Sequence, residues 1–258
     1  MIDAIHQSML NTLLRCGEQF RRRYIEGEII PPGIAAGRGT GVHKANEVNL
    51  KQKLITKEDL GLPDLQDITR DGYVQALSNG VFIPKDQLAE KKKLINKGLN
   101  DAIKCTKVYH KDVAPGLNPV SVEEEFDIDV GLALPLAGRM DYQDVPVIGD
   151  LKTTTKKWPE DRIKKEIQPI FYSYVHEKEK GVRPDFIYNI LIARKNDEEH
   201  QELSIKASDA DYRALFAKIK VFLRAIKTGT FLPADSTSWL CSPTWCGYYP
   251  TCIYKGNK

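Results

Sequence analysis

Residues 119–153 carry the pattern that most restricts the fold. The segments 119-PVSVEEEFDIDV-130, 134-LPLAGRMDYQDV-145 and 146-PVIGDLKT-153 alternate apolar and polar residues and are rich in β-branched side chains, with turn signals between them. That is the period of β-strands. The short connection at Pro146 predicts antiparallel pairing of the second and third strands. The next segment, 159–180, opens with Pro and two acids, as helix starts do. Further strands fit 184–194 and 201–207, and an amphipathic helix fits 209–229. The order helix, three strands, helix, strands, helix predicts an α/β chain with a mixed central sheet flanked by helices.

Upstream, apolar residues Leu10, Leu13, Leu14, Phe20 and Tyr24 fall at helical spacing over 8–24, with Ser8 as N-cap and Cys16 on the buried stripe. A glycine-rich connector, 33-GIAAGRGTG-41, precedes a second helix over 42–55 that sets His43 and Glu47 on one face. Residues 55–112 read as a helical insertion with breaks at Gly61 to Pro63 and Ser78 to Gly80. Its lysine-rich part, 85–111, reads as a solvated helix or, alternatively, as a phosphate contact.

The 258 residues, 41% hydrophobic and 28% charged, can bury a core. No apolar run has the 18 or more residues of a membrane span, and the N-terminus lacks the features of a signal peptide, which predicts a cytoplasmic protein without membrane contact. A net charge of +3 does not by itself specify a nucleic-acid partner. Of five cysteines, Cys241, Cys246 and Cys252 lie together near the C-terminus, and in a reducing compartment such a cluster reads as metal or iron–sulfur ligation.

Asp150 and Lys152 end an apolar strand, and Asp141 lies on the strand before it. Taken alone, Asp150 and Lys152 also read as an ion pair that caps a strand. Antiparallel pairing, however, brings Asp141 towards Asp150, and two such carboxylates repel unless a cation neutralises them. Mg²⁺ or Mn²⁺ prefers oxygen ligands, and the backbone carbonyl of Leu151 adds another. Lys152 shares the sheet face of Asp150 and can assist a water or stabilise charge on a phosphodiester in reaction.

Asp141 within GRMD, followed by GDLKT, resembles the PD-(D/E)XK nuclease signature of the RecB-like branch. The companions of that signature are present: Gly39 to Glu47 matches G-x-x-x-H-x-x-x-E, and Gln168 to Tyr172 matches Q-x-x-x-Y. The resemblance implies a restriction-endonuclease-like core over a single domain, 1–258, with 55–112 as an insertion. It implies His43, Asp141 and Asp150 as metal ligands, Lys152 as the catalytic lysine, and Gln168 and Tyr172 as nucleic-acid contacts; Glu47 either orients His43 or reaches the metal through water. Pro169, directly after Gln168, departs from an uninterrupted helix there.

A subset of this branch holds a [4Fe–4S] cluster on one N-terminal and three C-terminal cysteines. Cys16 with Cys241, Cys246 and Cys252 resembles that layout, so that 1–24 and 230–258 would form a cluster region joining the termini; Zn²⁺ is the alternative metal. Cys105 reads as a free, packed thiol. The implied activity is a Mg²⁺- or Mn²⁺-dependent deoxyribonuclease, an exonuclease on single strands or duplex ends that uses a metal-activated water. Lys156, Lys157, Lys164 and Lys165 would track the backbone. Partners would be DNA and proteins of a recombination or repair complex, in a bacterium or in the host cytoplasm if the chain is phage-encoded. The rival readings are a catalytically silent nucleic-acid-binding or assembly subunit, and a zinc-stapled RNA-processing enzyme.

Overall fold

The expected strands form one mixed sheet in a computed structural model that describes residues 2–195 and 197–255; Met1 and residues 256–258, the ends of the expected cluster region, lie outside the described residues. In chain order the elements are β1 (Ile5–His6), α1 (Gln7–Arg15), α2 (Gly17–Phe20), α3 (Ile34–Thr56), α4 (Leu62–Leu77), α5 (Lys91–Val108), β2 (Ser121–Ile128), β3 (Leu136–Asp144), β4 (Val147–Thr154), α6 (Ile167–Lys180), β5 (Asp185–Ala193), β6 (Glu198–Lys206) and α7 (Asp209–Thr228). The fold is restriction-endonuclease-like: a mixed sheet with helices on both faces.

Strand β5 shows why both faces are covered. Its side chains alternate, so Ile190 and Ile192 enter the core under α1, α6 and α7, while Leu191 and Ala193 enter the core under α3, α4 and α5. A strand buried on both sides needs an apolar run, and 186-FIYNILIA-193 supplies it. β5 runs parallel to β4 and antiparallel to β6, with α6 as the crossover between β4 and β5. On α5 the lysines stay outside while Ala102, Cys105 and Val108 are buried; the Cys105 thiol lies 3.5 Å from the Leu191 carbonyl oxygen, and burial pushes it up to about 12.

β3 organises the functional end of the sheet. One of its edges pairs with β2 along its length. The other edge is shared: β1 pairs in parallel with Leu136 and Ala137, and β4 pairs antiparallel with Tyr142 to Asp144. Residues 138–141 therefore have no strand partner on that edge. A two-residue turn, Val145-Pro146 with a cis peptide bond, joins β3 to β4 as the short connection predicted.

Four local expectations are corrected. The glycine-rich stretch 33–41 is not a connector but the N-cap and first turns of α3. A β-carbon on Gly41 would lie 2.6 Å from the Thr69 carbonyl oxygen, so the glycines permit close approach of α4. The helix over 8–24 breaks at Cys16, whose backbone is extended (φ −165°, ψ 110°), because Gly17 packs on the chain at Leu232 and donates to its carbonyl at 2.7 Å. His6, rather than Ser8, is the N-cap of α1. The helix over 159–180 is two pieces, a 3₁₀ turn over Glu160–Lys165 and α6, with Glu166 extended between them. Pro169 consequently falls in the first turn of α6, where its missing N–H has no intrahelical acceptor to lose, and it does not kink the helix.

The α3–α4 contact yields a paired prediction. Gly41→Ala lowers stability by about 1–3 kcal/mol through overpacking against Thr69, although alanine is the better helix former. Gly39→Ala, whose β-carbon meets nothing nearer than Thr153 Oγ1 at 3.8 Å, leaves stability unchanged or raises it by up to ~1 kcal/mol. Thermal and denaturant unfolding of the two variants measure the contrast.

Candidate active site

The point where β3 and β4 part company gathers the charged residues. Tyr142 with Gly149 is the last pair of their ladder, and Asp141 and Asp150 occupy the next position on each strand. Helix α3 brings His43 to the same place. One ligand atom each from His43, Asp141 and Asp150 lie within 4.8 Å of one another, as a shared cation requires; among the described residues no other group of three or more His, Cys, Asp or Glu meets that limit.

Each side chain is held by a specific bond. His43 Nδ1 is 2.9 Å from Asp141 Oδ2, and the Leu151 amide donates to the same oxygen at 3.4 Å. Gln168 Nε2 donates to Asp150 Oδ1 at 2.5 Å, while Gln168 Oε1 accepts from Lys152 Nζ at 2.9 Å and from Tyr188 OH at 3.2 Å. Lys152 Nζ also sits 2.5 Å from Asp150 Oδ2 and 5.0 Å from the centre of the Tyr188 ring. That approach to Oδ2 has ion-pair distance but not hydrogen-bond geometry, so Oδ2 is a buried carboxylate oxygen without a hydrogen-bond partner. The side chain of Asp150 is only 3% exposed, so the Lys152 ammonium is what offsets the cost of burying this oxygen.

Burial and charge split the two carboxyl groups. Burial pushes Asp150 up, and Asp141 adds to the rise against the pull of Lys152. Burial also opposes ionisation of Asp141, but His43 and Lys152 outweigh it and hold Asp141 below the usual carboxylate range. For His43, burial disfavours the charged ring, yet Asp141 and then Asp150 overcome it and push the imidazole up to about 9. In the absence of a cation, an imidazolium and a lysine thus balance two carboxylates.

Leu151 lies between the two functional residues of β4 with its side chain buried on the opposite face. The Tyr172 ring is 9% exposed and packs against Phe126 and Phe186 at 5.7 and 6.4 Å, beneath the site. Gln168, expected at the nucleic acid, has both its polar side-chain atoms engaged with Asp150, Lys152 and Tyr188. Glu47 pairs with Lys44 and Lys51 on the α3 surface at 3.0 and 2.7 Å. Of the four basic residues expected to track DNA, Lys157 pairs with Glu199 and Lys165 with Asp161.

Two participants were not singled out from sequence. Tyr188, on β5, anchors Gln168 and Lys152; its only signal is its place within an apolar strand next to β4. Glu123 falls opposite Asp141 in the β2–β3 register, with the left-handed backbone (φ +56°) that interrupts the ladder there. Its carboxylate meets Arg139 Nε at 2.5 Å, and burial followed by the charge of Asp141 pushes it up. The run 123-EEE-125 hides it among equivalent acids.

The ends of the chain meet away from this centre. Besides the Gly17–Leu232 bond, Arg22 donates to the Tyr248 carbonyl at 3.2 Å and to Thr251 Oγ1 at 2.7 Å. The sulfurs are involved as well: the Ala234 amide donates to Cys16 Sγ at 3.3 Å, and Gln19 Nε2 to Cys246 Sγ at 3.4 Å. Cys16, Cys241, Cys246 and Cys252 are all half-buried and form no disulfide.

Comparison with known proteins agrees with the fold. A solved structure from Eubacterium rectale, of a protein named provisionally as an exonuclease, aligns over 93% of this chain and 87% of its own with a TM-score of 0.62 at 12% identity. A second, SSO0001, covers 83% of this chain and 96% of its own at 16% identity, with a TM-score of 0.37 that carries no argument. No curated protein matches the sequence. The family model of the PD-(D/E)XK nuclease superfamily matches residues 5–253, nearly the whole chain. The chain belongs to the PD-(D/E)XK nuclease superfamily.

Proposed function

We propose that the protein is a divalent-metal-dependent deoxyribonuclease of the RecB-like branch, an exonuclease acting on single-stranded DNA or duplex ends. The observation that carries the reading is the convergence of His43, Asp141 and Asp150 on one point, with Lys152 beside Asp150. An oxygen-rich donor set with one imidazole suits Mg²⁺ or Mn²⁺, with the Leu151 carbonyl as a further donor. When bound there, the cation would lower the pKa of a water and offset charge on the phosphate oxygens.

The protein's own groups divide the remaining work. Asp141 keeps His43 oriented through Nδ1, and Gln168 fixes the plane of the Asp150 carboxylate. Lys152 stands at the rim of the buried carboxylates, where it can take or hold the proton of the attacking water and stabilise negative charge as it builds on phosphorus-bound oxygen. Water oxygen adds to phosphorus, the bond to the leaving ribose oxygen breaks, and that oxygen departs with a proton. A silent binding subunit would have no need for a lysine locked to both Asp150 and Gln168. At the other end of the molecule, Cys16, Cys241, Cys246 and Cys252 would hold a [4Fe–4S] cluster, with Zn²⁺ as the alternative. Soft thiolates suit either metal, and the N–H donors to Cys16 and Cys246 are of the kind that tune cluster sulfurs.

Three measurements test these assignments. On end-labelled single-stranded DNA with Mn²⁺, Lys152→Ala lowers the cleavage rate by about 10²- to 10⁴-fold; equal background from wild type and variant overturns the nuclease reading, and preferential cleavage of RNA transfers it to RNA. Because a protonated His43 cannot ligate, apparent Mn²⁺ affinity rises with pH until about 9 and falls as His43 is protonated below it. Calorimetric titration at pH 7 and 8 in buffers of different ionisation enthalpy shows a proton released on binding, and His43→Asn abolishes that release. Anaerobically purified protein is brown with a broad visible absorption band that Cys246→Ser removes; a colourless, zinc-containing preparation assigns the thiolates to zinc.

A further inference from the structure

A cavity of about 590 Å³ opens at the N-terminal end of α3, beyond the end of β4, and no step above uses it. Its walls are apolar: Ile34 and Ala36 of α3, Phe82 and Ile83 of the loop after α4, Leu94 of α5, and Trp245 from the cysteine-rich tail. Trp245 is 61% exposed and meets Trp239, itself 64% exposed, edge to face at 5.3 Å. Indole surface of that extent is expensive to leave in water.

Six polar residues line the cavity, among them two cations, Arg38 and Lys97. Arg38, 9% exposed, is held by Thr153 through Nε to Oγ1 at 3.2 Å and Nη2 to the carbonyl at 3.3 Å, and lies 3.8 Å from Asp101. Lys97 donates to the same Asp101 oxygen at 2.6 Å, so two cations face one acid. Lys97 also lines an adjoining open trough with Lys92, Lys93, Asn96, Asn100 and Glu90, on the lysine-rich face of α5. An aromatic-walled cavity beside a basic, amide-bearing trough is the arrangement that takes the bases and the phosphates of one unpaired strand. A base in a duplex is stacked on both sides and cannot enter such a cavity.

The cavity and the metal centre share both supporting elements. α3 contributes Ile34 to the cavity and His43 to the centre, nine residues or about 13 Å along the helix. β4 contributes Thr155, just past its end, to the cavity and Lys152 to the centre, three residues or about 10 Å along the strand. Measured along these two elements, the cavity lies about 10–13 Å from the centre.

From this continuity we infer that the cavity is a base-binding subsite for single-stranded DNA, with Trp245 as the stacking surface and the α5 trough as the phosphate track. The inference rests on the nuclease reading and names the form of DNA that the site accepts.

Binding tests it separately from cleavage. Without divalent cation, so that no strand is cut, anisotropy of a labelled oligothymidylate gives the affinity of wild type, Trp245→Ala and Ala36→Glu. Trp245 is on the surface, and a glutamate in the first turn of α3 is favourable for the helix, so both variants fold, as far-UV circular dichroism and melting confirm. Each is expected to weaken single-strand binding about 10-fold. In wild type, 2-aminopurine placed along the oligonucleotide is quenched at one or two adjacent positions and regains its fluorescence with Trp245→Ala. Unchanged affinity in both variants, no quenched position, or blunt duplex bound as tightly as single strand and equally weakened overturns the subsite. Mn²⁺-dependent cleavage by wild type reports on the nuclease reading: cleavage with unaltered variant binding defeats the subsite alone, while neither cleavage nor binding by wild type defeats both.

Discussion

Everything at the functional end of this molecule follows from two carboxylates placed where two strands stop pairing. Asp141 and Asp150 sit one position beyond the last rung between β3 and β4. Were the ladder to continue, their backbones would be committed to each other and the gap would close. Because it stops, the Leu151 amide is available to Asp141, and His43 can reach in from α3. The cost of confining two acids in a buried fork is met by an imidazole on one and a lysine on the other.

The separation of β3 from β4 also explains the N-terminus. Once β4 leaves, the first part of β3 presents an open edge, and open edges in sheets are usually covered. Ile5 and His6 take that place, pairing in parallel with Leu136 and Ala137. α1 follows immediately, and Cys16 and Gly17 then meet the C-terminal tail at Leu232 and Ala234. The cysteine region is thus tied to the catalytic sheet through two hydrogen-bonded residues. A staple at the chain ends would restrain the strand that carries Asp141, although no cysteine lies at the metal centre.

The sequence made the large elements legible wherever a period had room to repeat. β2 to β6 and α7 have enough residues for alternation or amphipathicity to show. β1 has two residues and therefore no period. The break at Cys16 depends on Gly17 touching a segment some 215 residues later, which no local pattern encodes. Gly37 and Gly41 were misread because glycine usually marks a loop, whereas here it marks a helix surface that another helix must approach. In the site, His43, Asp141, Asp150 and Lys152 were identifiable because their spacing on α3, β3 and β4 follows a recognisable motif. Glu123 was not, since its distinction from Glu124 and Glu125 lies in one backbone angle.

Gln168 shows how a residue can be located from a motif while its task stays hidden. Its amide is orientable in two ways, and chemistry permits one: the NH₂ group must face the Asp150 carboxylate, because the carbonyl already receives Lys152 and Tyr188. Gln168 donates to Oδ1 of Asp150, and Oδ2 faces Lys152. The amide therefore fixes the plane of the carboxylate and holds Lys152 beside it. Such a group is bound to α6 by its backbone and to β4 by its side chain. It couples the position of the crossover helix to the charge centre through the geometry of Asp150 and Lys152.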